Sequence, residues 1–400
     1  MKLFHKLLVA PATLGLLAPF SAVANEINVN QITQYGIDQE ELIEQEFDSN
    51  TFSKELAQTN SLTPTDQISG SNYEAGSFSD TTVASFSVDF LVGAVDGDAT
   101  TQLDGEALTA NYSFGIDLNT TFTGEDDLYV AIASGNTVAT QPIMQMLDFG
   151  NANADDLKVD DLHYTRPFGE KMTVSLGDSM DLSKLYTGAC AYSGFTDALA
   201  DCGTGNSAGA GGDVSISTSF DIGNGFTLGA GISGSGAATT SGLFTKESSD
   251  LYGAQLAYAA DNYGAAVSYA NSDTSTTDTV YWGLNGYYSF DNTFIDSISV
   301  GYETANPSSG SDSQGYFIGL STAEVGPGAF SFGMGTNKDT KASDTTLIVD
   351  NTDETYIYEV SYGWSINDAT TATIGAFIQE RLAADGDDLS GIALSTSFAF

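Results

Sequence analysis

From about residue 82 to the last residue, apolar and polar positions alternate with a period of two. The clearest stretch is "LTANYSFGIDLNTTF", residues 108–122. Leu108, Ala110, Tyr112, Phe114, Ile116 and Leu118 fall on one face, and Thr109, Asn111, Ser113, Gly115, Asp117 and Asn119 on the other. A period of two is the signature of an extended strand whose two faces meet different surroundings. Just upstream, Phe86, Val88, Phe90 and Val92 alternate with Ser85, Ser87, Asp89 and Leu91, the last being the one imperfect position.

Followed to the C-terminus, the pattern predicts sixteen strands. Short connections follow the even-numbered strands, among them "PFGEK", "DIGNG" and "NDAT". Longer Gly-, Ser-, Asp- and Thr-rich connections follow most of the odd-numbered ones. A sandwich has no reason to sort its loops this way. An outer-membrane barrel does, with short periplasmic turns, long external loops and an even strand number. The expected fold is therefore all-β: a 16-stranded antiparallel transmembrane β-barrel. A soluble sandwich array or solenoid would need a repeat period, and none is visible.

Aromatic placement sharpens the picture. Tyr252, Ala254, Leu256 and Tyr258 put a tyrosine at each end of one apolar face. Tyr263, Ala265, Val267 and Tyr269 repeat the arrangement in the next strand. Amphipathic rings at both edges of an apolar band suit the two membrane–water interfaces. Composition agrees, with 43 Gly, 19 Tyr and 23 Phe against 2 Trp, 6 Met and 7 Pro. No apolar run is long enough for a spanning helix, which a closed barrel does not need.

The N-terminus sets the compartment. Lys2 and Lys6, an apolar stretch from Leu7 to Phe20 and Ala22-Val23-Ala24 read as a cleavable export signal over residues 1–24. Residues 25–80 read as an acidic periplasmic leader and linker, with "IDQEELIEQEF" helix-permissive and "SLTPTDQISGSN" of linker composition; residues 81–400 form the barrel. The expected location is the outer membrane.

Charge narrows the partners. The chain has 53 Asp and Glu against 11 Lys and Arg, and two of those lysines lie in the signal. Such a balance repels nucleic acid and favours cationic partners, a cation-attracting lumen or a merely solvated surface. Cys190 and Cys202 in "CAYSGFTDALADC" are expected to pair as a loop staple in an exported protein. Neither a metal nor a cofactor is called for. With His163 the one histidine beyond the signal, no Gly-x-Ser-x-Gly elbow and no His-Glu-x-x-His, an enzyme is the poorer class.

The longest connection lies between a fifth strand ending near Gly177 and a sixth beginning near Asp213. In large porins this connection folds inward and narrows the channel. Asp178, Asp181, Lys184, Asp197 and Asp201 are the constriction candidates it carries. Its excess of acid would favour cations through focusing in a narrow passage. Alternation makes Asp89, Asn111, Asp117 and Asn119 lumen-facing, and Arg166 is a further candidate, close to Lys158, His163 and Lys171. The second long connection, 136–156, carries "PIMQMLDF", a short-helix candidate. "DGD" at Asp96–Asp98 and "DGDD" at Asp385–Asp388 fall short of a calcium loop and read as solvated turns.

"YSFGIDLNTTFTGEDDLYVAIASGN" (112–136), "DDLKVDDLHYTRPFGEKMTVSLGD" (155–178) and the terminal "STSFAF" carry a resemblance. Together they resemble the cyanobacterial outer-membrane porins of the carbohydrate-selective and iron-uptake type, over roughly residues 80–400. The resemblance implies a passive pore for small hydrophilic solutes and inorganic ions, iron species and sugars included. It also implies a homotrimer and an assembly signal at Phe398 and Phe400. Many members carry an N-terminal surface-layer homology domain. The stretch from Asn25 to about Thr65 is too short for it, so peptidoglycan anchoring is not carried over. The competing expectation is a non-conducting structural or adhesin-type barrel; strand number separates the two, because sixteen strands leave an aqueous channel and eight do not.

Overall fold

The computed structural model describes residues 81–97, 105–136, 147, 149, 155–208, 213–235, 242–245, 248–274, 277–310, 312–336, 355–380 and 388–400. The expected signal at 1–24 and leader at 25–80 lie outside these residues, as do Asp98 and Asp385 to Asp387.

Sixteen strands close on themselves: β1 (Thr82–Asp96), β2 (Gly105–Thr120), β3 (Asp127–Gly135), β4 (Lys158–Phe168), β5 (Met172–Asp178), β6 (Val214–Gly223), β7 (Phe226–Gly234), β8 (Asp250–Ala259), β9 (Tyr263–Asp273), β10 (Asp278–Ser289), β11 (Ile295–Pro307), β12 (Ser313–Thr322), β13 (Gly328–Thr336), β14 (Tyr356–Asn367), β15 (Thr370–Gln379) and β16 (Leu389–Ala399). Each strand pairs antiparallel with its sequence neighbours, and β1 pairs with β16, so no edge is left unpaired. Closure is finished by Phe400, whose N–H donates to the Phe86 carbonyl at 3.0 Å while the Phe86 N–H donates to the Phe400 carbonyl at 2.8 Å. Their rings stack at 5.8 Å on the outer face, beside the edge-on pair of Phe90 and Phe398.

The period-2 pattern now has a geometric meaning. Leu256, Val267, Leu284, Val300, Ile318, Phe332 and Ile374 are all exposed on one face of the sheet, the outside. This aliphatic band is bounded by aromatics at both ends. At the short-turn end stand Phe226, Tyr258 and Tyr263, with Tyr288 against Phe290 and Phe330 against Tyr362. At the long-loop end stand Tyr269 against Trp282 and Tyr316 against Tyr356 and Tyr358. An outward apolar belt between two aromatic girdles matches hydrocarbon flanked by headgroups.

Two turns show why the short connections hold. In "DIGNG" the residues Gly223, Asn224 and Gly225 all take positive φ, which glycine and asparagine adopt at least cost. Between β2 and β3, the nearly buried Asp126 carboxylate accepts from the N–H groups of Phe122 and Thr123 at 2.9 and 2.8 Å, from the Thr121 hydroxyl at 2.9 Å and from the Tyr164 hydroxyl at 2.7 Å. One carboxylate thus satisfies most of the donors of its turn.

Candidate functional site

The β5–β6 connection contains two short helices, α1 (Asp197–Ala200) and α2 (Gly205–Ala208). Its contacts trace a path. The N–H of Leu185 donates to Ser217 Oγ on β6 at 3.1 Å, that of Thr187 to Gln255 Oε1 on β8 at 2.9 Å, and that of Ala191 to Ser299 Oγ on β11 at 3.0 Å. Tyr192 and Phe195 carry the path to β14 and β15. The chain then returns through Leu199, Cys202 and Ser207 to β10. Every wall residue on this path lies on the face opposite the exposed aliphatic belt. In a closed barrel that face is the interior, so the connection lies in the lumen along the wall from β6 to β15.

The wall is shaped to receive it. A Cβ on Gly229 or Gly253 would run into Tyr186, one on Gly301 into the Cys202 carbonyl, one on Gly319 or Gly333 into Tyr192, and one on Gly375 into Phe195. These positions need glycine because a backbone or ring comes within contact distance of the strand. Two lumen-facing carboxylates then clasp the loop. Glu359 on β14 accepts from the Tyr192 hydroxyl at 2.7 Å, from the N–H groups of Phe195 and Thr196 at 2.7 and 2.8 Å, and from the Thr196 hydroxyl. It caps the start of α1, satisfying helix-terminal donors. Glu303 on β11 accepts from the Ser207 N–H at 2.6 Å and from Asn206 Nδ2 at 2.9 Å. The Cys190–Cys202 disulfide, with Cα atoms 6.1 Å apart, joins the outgoing and returning legs between these clasps. Burial, reinforced by the Glu359 charge, pushes the Tyr192 phenol well above its usual range, so it remains a donor.

The opposite arc, β1 to β4, is polar. Asp89 pairs with Ser113 and Asn111 with Leu91 on the inner face. Asp117 and Asn119 follow on the same side of β2. The Tyr129 hydroxyl donates to Asp117 at 2.6 Å, and its ring lies 4.8 Å from that of buried His163. His163 Nδ1 lies 2.8 Å from Asp161, while the Lys184 ammonium stands 3.9 Å from the other oxygen of Asp161 and 5.4 Å from the centre of the Tyr129 ring. Lys184 thus stands beside wall acid. Leu91, the imperfect position, joins Val95, Phe377, Leu389 and Ala393 in an apolar cluster inside the barrel, covered by Phe195 and by Leu147 and Phe149 of the β3–β4 connection. Of "PIMQMLDF", only these last two fall among the described residues.

Asp181, Lys184 and Asp201 are exposed on the lumen loop, and Asp197 is half-buried in the first turn of α1. Two candidates lie elsewhere. Arg166 pairs with Val174 on the outward face, alongside Tyr164 and Leu176, and its guanidinium stands 5.9 Å from the Phe168 ring. A register shift between Ala131 and Ile132 puts β4 out of step with a simple count, which is why alternation misplaces it. Asp178 ends β5 opposite the outward-facing Leu162 and accepts the Ser179 N–H at 3.1 Å, so it stands at the rim. Glu303, Glu359, Tyr129, Asp161 and Tyr192 were not singled out by sequence. Their signal was a lone glutamate or large ring among the Gly and Ser of an inner face.

No protein-family model matches the chain, and no curated protein matches it. Solved structures do share the fold. OprB of Pseudomonas putida superposes with a TM-score of 0.58 at 12% identity, over 80% of this chain and 94% of that one. OmpT, an outer membrane protein of Vibrio cholerae, gives 0.53 at 11% over 80% and 100%. An anion-selective porin from Comamonas acidovorans gives 0.52 at 17% over 80% and 99%. The chain is a closed 16-stranded antiparallel barrel with the fold of bacterial outer-membrane porins.

Proposed function

We propose that this chain is an outer-membrane porin for passive diffusion of small hydrophilic solutes and inorganic ions, with a preference for cations. One observation carries the reading: a loop seated inside the barrel by its own wall, leaving a passage bounded by the polar arc of β1 to β4. The acids along that passage are Asp89, Asp117, Asp161, Asp181, Asp197 and Asp201. The described lumen cation, Lys184, sits against Asp161. In a narrow, low-dielectric passage such a distribution raises the local cation concentration. Asn111 and Asn119 add hydrogen-bonding capacity for neutral solutes, so iron species and sugars belong to the same reading. A cleaved signal, a homotrimer and assembly through Phe398 and Phe400 complete it; one structure of the Vibrio protein is described as its trimer form.

The test is single-channel conductance of the refolded protein in planar bilayers under a salt gradient. The expected result is a stable open current whose reversal potential reports cations and moves toward zero when Asp197 and Asp201 become asparagine. An unselective current would keep the pore and remove the acid filter. No current from folded, inserted protein would favour the structural or adhesin-type barrel.

A further inference from the structure

Between the returning leg of the lumen loop and the inner wall of β8 and β10 lies a cavity of about 240 Å³, open on one side. Among its lining residues are Tyr186, Asp201, Thr204, Gln255 and Asn285. Its lining contains neither lysine nor arginine. Two polar atoms there, Tyr186 Oη and Asn285 Oδ1, are buried and accept or donate no hydrogen bond. Buried polar atoms without partners are costly, so their persistence points to something that occupies the space.

The orientation of Asn285 is fixed by its neighbours. The Thr204 hydroxyl donates its proton to the Asp201 carbonyl at 3.1 Å, so Thr204 Oγ1 receives the Asn285 Nδ2 group at 3.2 Å. The amide oxygen therefore points away, and Asn285 is 8% exposed. Gln255 is already committed, accepting from the Thr187 N–H at 2.9 Å and donating to Ser268 Oγ at 3.3 Å. What remains is an amide oxygen, a phenol oxygen and one carboxylate. Burial pushes the Tyr186 phenol up, so it stays neutral. Neutral oxygens plus a single carboxylate suit a hard cation of low charge; a divalent ion is ordinarily held by several carboxylates.

We propose that this cavity is a binding site for a monovalent alkali cation beside the conduction path, with Asn285 Oδ1 and Tyr186 Oη as neutral ligands and Asp201 supplying the countercharge. The inference deepens the porin reading by naming a resting place for its ions. Its chemistry requires only an aqueous lumen.

The test is sodium-23 relaxation on the folded, detergent-solubilised full chain, wild type against Tyr186→Phe, with potassium as competitor. Tyr186→Phe removes a hydroxyl that has no partner, so it leaves the fold intact. The expected result is excess line width in the wild type that potassium displaces, with half-saturation about threefold to tenfold higher in the variant, the equivalent of one lost neutral ligand. Asn285→Asp moves half-saturation the other way. Identical titrations for wild type and Tyr186→Phe would overturn the site and reduce the cavity to one filled by water. This readout needs no open channel. A bound ion in a non-conducting barrel therefore refutes the porin reading alone, and an ohmic pore without the relaxation difference refutes the site alone.

Discussion

Glu359→Ala tests the proposition that the lumen loop is held by the wall and not by its own folding. In the wild type this carboxylate accepts four hydrogen bonds from Tyr192, Phe195 and Thr196. Hydrogen bonds to a charged group are worth about 1.5–3 kcal/mol each, and truncating one side of a buried charged network costs about 3–5 kcal/mol. The lumen offers water to the released donors, so the lower end applies. A shift of about 3 kcal/mol raises the undocked fraction of the loop on the order of a hundredfold. The barrel should not share the loss, because β14 stays laddered to β13 and β15 through backbone bonds. The expected phenotype is therefore split. Hydrogen exchange in the 187–200 segment accelerates and open-channel noise rises, while heat resistance of the folded band on gels stays at the wild-type level. Glu359→Gln, which keeps one acceptor, falls between. Unchanged exchange and quiet current in the alanine variant would refute the clasp.

Three further outcomes follow from the same geometry. Gly333→Ala puts a methyl into the Tyr192 ring, and overpacking of about 1–3 kcal/mol should loosen the loop tip and raise mean conductance; an unchanged conductance would count against the seat. Replacing Cys190 and Cys202 by serine removes a cross-link of a class worth about 2–4 kcal/mol, and should weaken loop protection without altering barrel melting. Asp126 is held well below the usual carboxylate range, first by the Tyr164 hydroxyl and then by donors of its own turn. Its folded pKa is depressed, so its contribution is present above the unfolded value near ~4 and is lost only as pH falls through the folded value. Exchange protection of the 121–126 turn should therefore persist below pH ~4 and disappear there in Asp126→Asn.

Strands were legible because a two-faced wall imposes its period on every residue that crosses it, as in Leu108 to Leu118. Register was less legible. One bulge at Ala131 moved β4 off the count and carried Arg166 to the outside. The loop's interior position could be argued from length alone, but its attachment could not. Glu303 and Glu359 are separated from their partners by 97 and 163 residues along the chain, and nothing local marks them beyond an acid on a face of glycine and serine. Leu91 carried a clue of the same kind. An apolar residue on the wet side meant that something dry stood inside.

The distance in sequence between the loop and its clasps also orders assembly. Residues 179–213 are translated before β11 and β14, yet they have no seat until those strands have joined the sheet. Contacts of such separation form late. During insertion the lumen is therefore wider than in the finished molecule, and the passage narrows only when the wall that grips the loop is complete. The constriction is thus a record of closure: a barrel that had failed to bring in its last strands would leak before it could select.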